Sequence, residues 1–357
     1  MEFGIVGLEL SGKTTLFSLL TGHDPGAAHG KGATHVGIAQ VPDPRLDRLS
    51  ALFKPRKHTP ATVRFVDVPG IAKGGAASLN LPELRTMDGL AVVIRGFESE
   101  LVPHPEGSVD PARDLELLET ELLLSDLAVA TNRLDRLGRE LGKRRAPELE
   151  AERDVLTRCR AALEGGTPLR RLGLSAEERR LLKGFTFLSL KPMLVVLNAG
   201  EPDAADLAGA VARSGLAPRQ DEPDVAVSAV CATLEEEISR LAAADQASFL
   251  ADLGLPDRAL DRLLRAAYAL LGLISFLTAG DDECRAWSIP AGTPAVKAAG
   301  AIHSDFERGF IRAEVVPWEQ LLEAGSFAAC RARGVLRLEG KDYVVADGDV
   351  ITFRFNV

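Results

Sequence analysis

The octapeptide Gly7-Leu8-Glu9-Leu10-Ser11-Gly12-Lys13-Thr14 constrains the fold of this chain more than any other stretch. It reads G-x-x-x-x-G-K-T, follows the short apolar run Phe3-Gly4-Ile5-Val6, and precedes the apolar-rich segment 15–20. A buried strand, a turn and a helix start in that order make a phosphate-binding loop, which belongs to a parallel α/β sheet. Amides of the turn and of the helix N-terminus converge on a polyphosphate, so affinity comes from oriented dipoles. The residues expected to line the nucleotide are Leu10, Ser11, Gly12, Lys13, Thr14 and Thr15. Lys13 would reach the outer phosphates, and the Thr14 hydroxyl would bind Mg²⁺.

The segments that follow alternate between strand-like and helix-like patterns. Strands are expected at 36–41, 62–68, 90–95, 193–197 and 225–227, and helices at 234–242 and 256–271. Strands alternating with helices argue for a parallel sheet that binds ligands at its C-terminal ends. From about Pro111 the pattern changes. Leu115, Leu118, Leu122, Leu127, Leu134, Leu137 and Leu141 recur at three- and four-residue spacing, and a polar break at 143–147 precedes a second helical run ending at Gly165-Gly166. This predicts an α-helical hairpin arm inserted into the nucleotide-binding domain. The last eighty or so residues turn to short strands at 286–289, 309–315, 335–338, 344–345 and 350–355, a small β-rich module.

The 357 residues suffice for two or three domains, and 46% apolar with 26% charged residues is the make-up of an ordinary globular protein. Cys159, Cys231, Cys284 and Cys330 are scattered with no C-x-x-C pair, which argues against zinc and disulfides and fits a reducing cytoplasm. The Met1-Glu2 start carries no basic leader, and the most apolar stretch, 268–279, is too short to cross a bilayer. A net charge of −9 opposes indiscriminate nucleic-acid binding, so neither DNA nor a membrane is an expected partner. Between Arg133 and Arg145, however, six bases face two acids. That local excess, at the arm tip with Lys143, Arg144 and Arg145, is either an RNA-facing patch or a solvated helix face.

Further motifs fit the loop. Asp67-Val68-Pro69-Gly70 ends a strand, where Asp67 would hold Mg²⁺ through water and the Gly70 amide would sense the γ-phosphate. Asn198-Ala199-Gly200-Glu201 follows a buried strand at the place of a base-reading element. It lacks the Lys and Asp of the guanine reader Asn-Lys-x-Asp, so adenine should be tolerated. Ser228-Ala229-Val230-Cys231 lies where a base-capping loop belongs.

These motifs, with Val41-Pro42-Asp43-Pro44-Arg45-Leu46-Asp47, Phe65-Val66-Asp67, the run from Ala298 to Glu314 and the run Leu336 to Val345, resemble the YchF / Obg-like ATPase subfamily of Obg-related P-loop GTPases over nearly the whole length. The resemblance implies a P-loop NTPase G-domain (1–112 and 187–278), an inserted helical arm (113–186) and a C-terminal β-rich, ubiquitin-like TGS domain (279–357). It also implies Mg²⁺-dependent ATP hydrolysis in preference to GTP, and association with the ribosome or its RNA through the arm and TGS domain. Ile71 stands where many GTPases carry a water-orienting Gln, and His104 matches the family histidine that replaces it.

Several positions depart from the family pattern. Lys31 aligns with its switch-I threonine, with Thr34 nearby; Gly30 aligns with its cysteine, and Glu9 and Leu10 with its Pro and Asn. The glycine-rich segment after Gly70 is also shortened. Two readings follow: a slow ATPase whose nucleotide state governs ribosome engagement, or a nucleotide-binding scaffold with little turnover. A small-molecule kinase fits less well.

Overall fold

The computed structural model describes residues 1–22, 34–68, 81–144 and 146–356. By packing, the chain divides into two compact units, 1–38 with 64–266 and 39–63 with 267–357. The second unit therefore begins before the boundary read at 279 and takes in a segment from the N-terminal third.

The first unit is built on a six-stranded sheet. Its strands are β1 (Glu2–Val6), β2 (His35–Val41), β4 (Ala61–Asp67), β5 (Gly89–Gly96), β6 (Met193–Ala199) and β7 (Val225–Val230), in the order β2-β4-β1-β5-β6-β7; the short β3 (Lys57–Thr59) belongs to the second sheet. The pairs β1–β4, β1–β5, β5–β6 and β6–β7 are all parallel. Every residue of β6 and nearly every residue of β5 is buried. That explains their unbroken apolar runs, since a parallel sheet is covered on both faces. A chain of contacts from Val6 through Val92, Ile94, Val195 and Leu197 to Leu115 and Leu118 forms this unit's main core. The C-terminal ends of the parallel strands β1, β4 and β6 lie at one edge, where ligands of such sheets bind.

The arm is two helices. Helix α1 (Lys13–Thr21) follows the phosphate loop, α2 (Pro44–Phe53) lies in the second unit, and α3 (Leu81–Thr86) precedes β5. Helix α4 (Pro111–Lys143) then runs 33 residues without interruption, passing straight through Asn132 and Gly138. Pro111 at its first position and Asp110, whose carboxylate accepts from Arg113 N, define its start. Helix α5 (Pro147–Glu164) returns against it. Leu123, Ala130 and Leu137 of α4 pack with Val155, Leu156, Cys159 and Leu163 of α5, which accounts for the leucine periodicity. Arg133 makes a two-pronged contact with Glu152 across the pair, at 2.7 and 2.9 Å. At the root, buried Glu119 of α4 accepts from both Arg170 and Arg219.

The second unit is organised by the sheet β11-β10-β12-β8-β9-β3, with β8 (Leu273–Thr278), β9 (Glu283–Pro290), β10 (Phe310–Pro317), β11 (Arg337–Glu339) and β12 (Asp349–Phe355). Pairs β8–β9, β10–β12 and β10–β11 are antiparallel, whereas β8–β12 and β3–β9 are parallel. Phe276, Ile289, Phe310, Val315 and Phe353 close over Ala295, Ala298 and Ala299, whose small side chains let the helix Ala295–Ile302 lie against the sheet. One expectation is corrected here. The run 344–345 is no strand, and only an isolated bridge joins Val344 to Pro294. Of the apolar stretch 268–279, residues 268–270 end the helix Ala259–Leu270, and residues 273–278 form β8, a central and largely buried strand of this sheet. Among the described residues no helix is long and apolar enough to cross a membrane.

Candidate nucleotide-binding site

The phosphate loop turns between β1 and α1 through two left-handed residues, Leu10 (φ 63°) and Gly12 (φ 94°). A Cβ on Gly12 would stand 2.3 Å from Asn198 Nδ2, and one on Gly7 would stand 2.4 Å from the Val93 carbonyl oxygen. Both glycines are required by close approach, and at Gly12 also by φ. Leu10, demanding the same left-handed region without a glycine's freedom, is half exposed at 51%. Ser11 is buried, and its hydroxyl finds no hydrogen-bond partner in the protein. A buried hydroxyl in a loop of inward-turned amides is an unmet donor that suits an anionic ligand.

Lys13 sits at the helix start, 8% exposed, and its ammonium donates to the Leu8 carbonyl at 2.6 Å. Burial pushes its pKa down to about 8, against the attraction of Asp67 and Glu9. The Thr14 hydroxyl donates to Asp67 Oδ2 at 3.0 Å, so the two expected metal ligands, from α1 and from the end of β4, meet in space. The hard oxygens of a hydroxyl and a carboxylate, beside a polyphosphate cradle, fit Mg²⁺. Thr15 follows on α1, half-buried.

Asn198 is the joint of the site. Its Nδ2 donates to the Ser11 carbonyl at 3.1 Å, and its Oδ1 accepts from Ala232 N at 3.2 Å. One buried amide thus couples the phosphate loop to the loop after β7, where Cys231, also buried, caps the helix Ala232–Arg240. Glu201, three residues beyond Asn198, is exposed and borders a cavity of about 270 Å³ with Leu234, Glu237 and Phe249. The sequence motifs around Gly7, Asp67, Asn198 and Cys231 therefore converge.

His104 is placed otherwise. Its side chain is 3% exposed, Nδ1 accepts from Glu106 N at 3.1 Å, and Nε2 lies 3.0 Å from Asp114 Oδ2 in the first turn of α4. Both ring nitrogens are engaged within the loop that joins β5 to the arm. Arg95, which the motifs did not reveal, organises that loop. It is 2% exposed on β5, donates to the carbonyls of Phe97 (3.0 Å) and Val102 (2.7 Å), and stacks 4.4 Å over the Phe97 ring. An arginine ending a buried apolar strand was the available signal. Asp114 was equally hidden, because a lone acid in a helix start reads as a dipole partner.

Thr34 donates to Glu83 Oε2 at 2.7 Å. Gly70, Ile71, Gly30, Lys31, the segment 72–78 and Arg145 lie outside the described residues. Lys143 and Arg144, at the arm tip, are exposed.

Comparison with known proteins adds lineage to this geometry. The family model YchF-GTPase_C, described as a protein of unknown function (DUF933), matches residues 273–356. The Ribosome-binding ATPase YchF of Bacillus subtilis (strain 168) is 40% identical, with 99% of each chain covered. The Obg-like ATPase 1 of Oryza sativa subsp. japonica is 33% identical, over 100% of this chain and 92% of that one. Among solved structures, the Schizosaccharomyces pombe YchF GTPase superposes with a TM-score of 0.83 at 26% identity, covering 99% of this chain and 97% of the other.

Proposed function

This chain belongs to the YchF family of P-loop NTPases, and from that premise we propose that it hydrolyses ATP slowly, with GTP a poorer substrate, and engages the ribosome according to its nucleotide state. The observation that carries the reading is the meeting of Thr14 with Asp67 beside the buried Lys13. Those groups are what phosphoryl transfer asks of a protein: a cation on the outer phosphates, and two oxygens for a metal. Thr14 and Asp67 would hold Mg²⁺, which would supply positive charge against the charge developing in phosphoryl transfer. The amides of 8–14 and the Ser11 hydroxyl hold the polyphosphate, and Lys13 exchanges its contact with Leu8 O for phosphate. Asn198 keeps the base side and the phosphate side in register. Glu201 in place of an Asp, and the missing Lys, weaken guanine recognition.

His104 is proposed to orient the attacking water. Since its ring rests on Asp114 and Glu106, the loop must release it before it acts, which supports a slow turnover. That same docking, beside the departures at Glu9 and Lys31, favours a binding protein with little hydrolysis. Phosphate release from [γ-³²P]ATP separates the readings: Lys13→Ala and His104→Ala should each reduce it at least tenfold. Unchanged release in both variants rejects the chemistry, and intact ATP recovered from the wild type after long incubation selects the scaffold.

The relatives named as ribosome-binding support a ribosomal partner. The exposed Lys143 and Arg144 at the arm tip are the proposed contact there, with the TGS unit as a second.

A further inference from the structure

A groove of about 640 Å³ lies at the end of the first sheet opposite the phosphate loop. Met87 and Asp88 immediately precede β5, Lys191 and Pro192 immediately precede β6, and all four line it. The nucleotide residues, by contrast, lie at the C-terminal ends of β1, β4 and β6. The groove is thus a separate place on the same unit. Its cationic lining is Arg85, Arg179, Arg180, Lys183 and Lys191, against the single acid Asp88. In a chain whose net charge is −9, such a local excess runs against the average of the surface.

The cations are not all committed. Arg85 is held by Asp126 at 3.0 Å, and Lys191 donates to the carbonyls of Arg85 and Met87. Arg179 has only a 3.4 Å contact with Asp224, both half exposed or nearly so. Arg180 and Lys183 are exposed, and neither has an ion-pair partner among the described residues. The floor is different: Leu182 and Phe187 are 1% and 2% exposed. A site for a small ligand would gather buried polar groups around it. Here the charges ring an open mouth over an apolar floor, an arrangement for a phosphate-bearing strand passing across rather than a molecule enclosed.

We propose that this groove, bordered by Arg179, Arg180, Lys183 and Lys191, binds the phosphodiester backbone of single-stranded RNA. The inference rests on the ribosome-engaging reading above and adds to it a second contact at the root of the arm. The phosphate contacts would carry affinity and its salt dependence without reading base identity.

The test uses the full chain and a fluorescein-labelled twelve-nucleotide oligouridine, followed by anisotropy between 50 and 200 mM KCl. Arg180→Glu with Lys183→Glu should weaken binding at least tenfold and make the slope of log K against log[salt] shallower by about 1.4, two phosphates' worth. A fluorescent ATP analogue should bind the variant as it binds the wild type, which also reports that the variant is folded. Mg²⁺-ATP should not displace the RNA. Unchanged RNA affinity and slope in this variant, a wild type that binds no RNA, or displacement by ATP would each overturn the groove assignment. Lys143→Glu with Arg144→Glu separates the two levels. If ribosome co-sedimentation falls in that variant while Arg180→Glu with Lys183→Glu leaves RNA binding intact, the groove fails and the ribosomal reading survives.

Discussion

Lys13 carries opposite demands in the free and liganded protein. Its pKa is about 8 in the fold and 10.5 as its ordinary value. Between those limits the unfolded chain binds more protons, so the cost of burying the ammonium is present in full below pH 8. It is relieved as pH rises from 8 to 10.5, and stability from this group rises with it. Nucleotide affinity runs the other way, because only the charged form attracts phosphate. ATP binding should therefore weaken about tenfold between pH 7 and pH 9, with proton uptake on binding at the higher pH. Calorimetry in two buffers of different ionisation enthalpy measures both. A flat affinity over that range would mean that Lys13 keeps its proton in the empty site. At this scale the glycine–lysine–threonine motif was legible, since spacing along one turn sets which groups face the phosphates. The burial of His104 against Asp114 was not, because it joins a loop to a helix start through packing.

At the scale of elements, the root of the arm is held by charge inside the protein. Glu119 of α4 accepts from Arg170 and from Arg219, two residues on separate short 3₁₀ turns. Arg170 is 2% exposed, and burial pulls its pKa down from the usual arginine value. Such a pair adds little net stability over apolar packing, yet removing one partner strands the other. Glu119→Gln should cost about 3–5 kcal/mol of folding free energy, read as a lower urea midpoint with an unchanged m-value. A loss below about 0.5 kcal/mol would show that water reaches the arginines in the native state. The arm itself could be read from leucine spacing because a helix pair needs only a local period. Its anchoring could not, since Glu119 looks like one of many acids on a solvated helix.

At the scale of the molecule, the segment 39–63 belongs with the C-terminal unit. Arg45 bridges Asp43 and Asp347, at 2.8 and 2.7 Å, while Asp347 also accepts from Ser275 N at 2.9 Å. Arg48 lies 5.2 Å over Trp318, Phe53 meets Phe327 at 5.7 Å, and Thr59 donates to Glu283 at 2.6 Å. A chain ended at Ala266 should consequently lose more than a domain. It would expose α2 and β3, and we expect a transition at least 5 °C lower than that of the full chain, with partial aggregation on heating. Calorimetry decides this, and an unchanged transition would mean that 39–63 finds other partners.

The sequence by itself determined the phosphate loop, the parallel sheet, the helical arm and the β-rich C-terminal region, because each depends on a period or a spacing within one segment. Only the tertiary structure decided that Asn198 joins two loops, that Arg95 ties down the loop after β5, that Asp114 holds His104, and that 39–63 packs with 267–357. Those facts arise from residues far apart in the chain meeting in a dry interior, where an unpaired polar group is costly, and no local pattern records which partner each one finds.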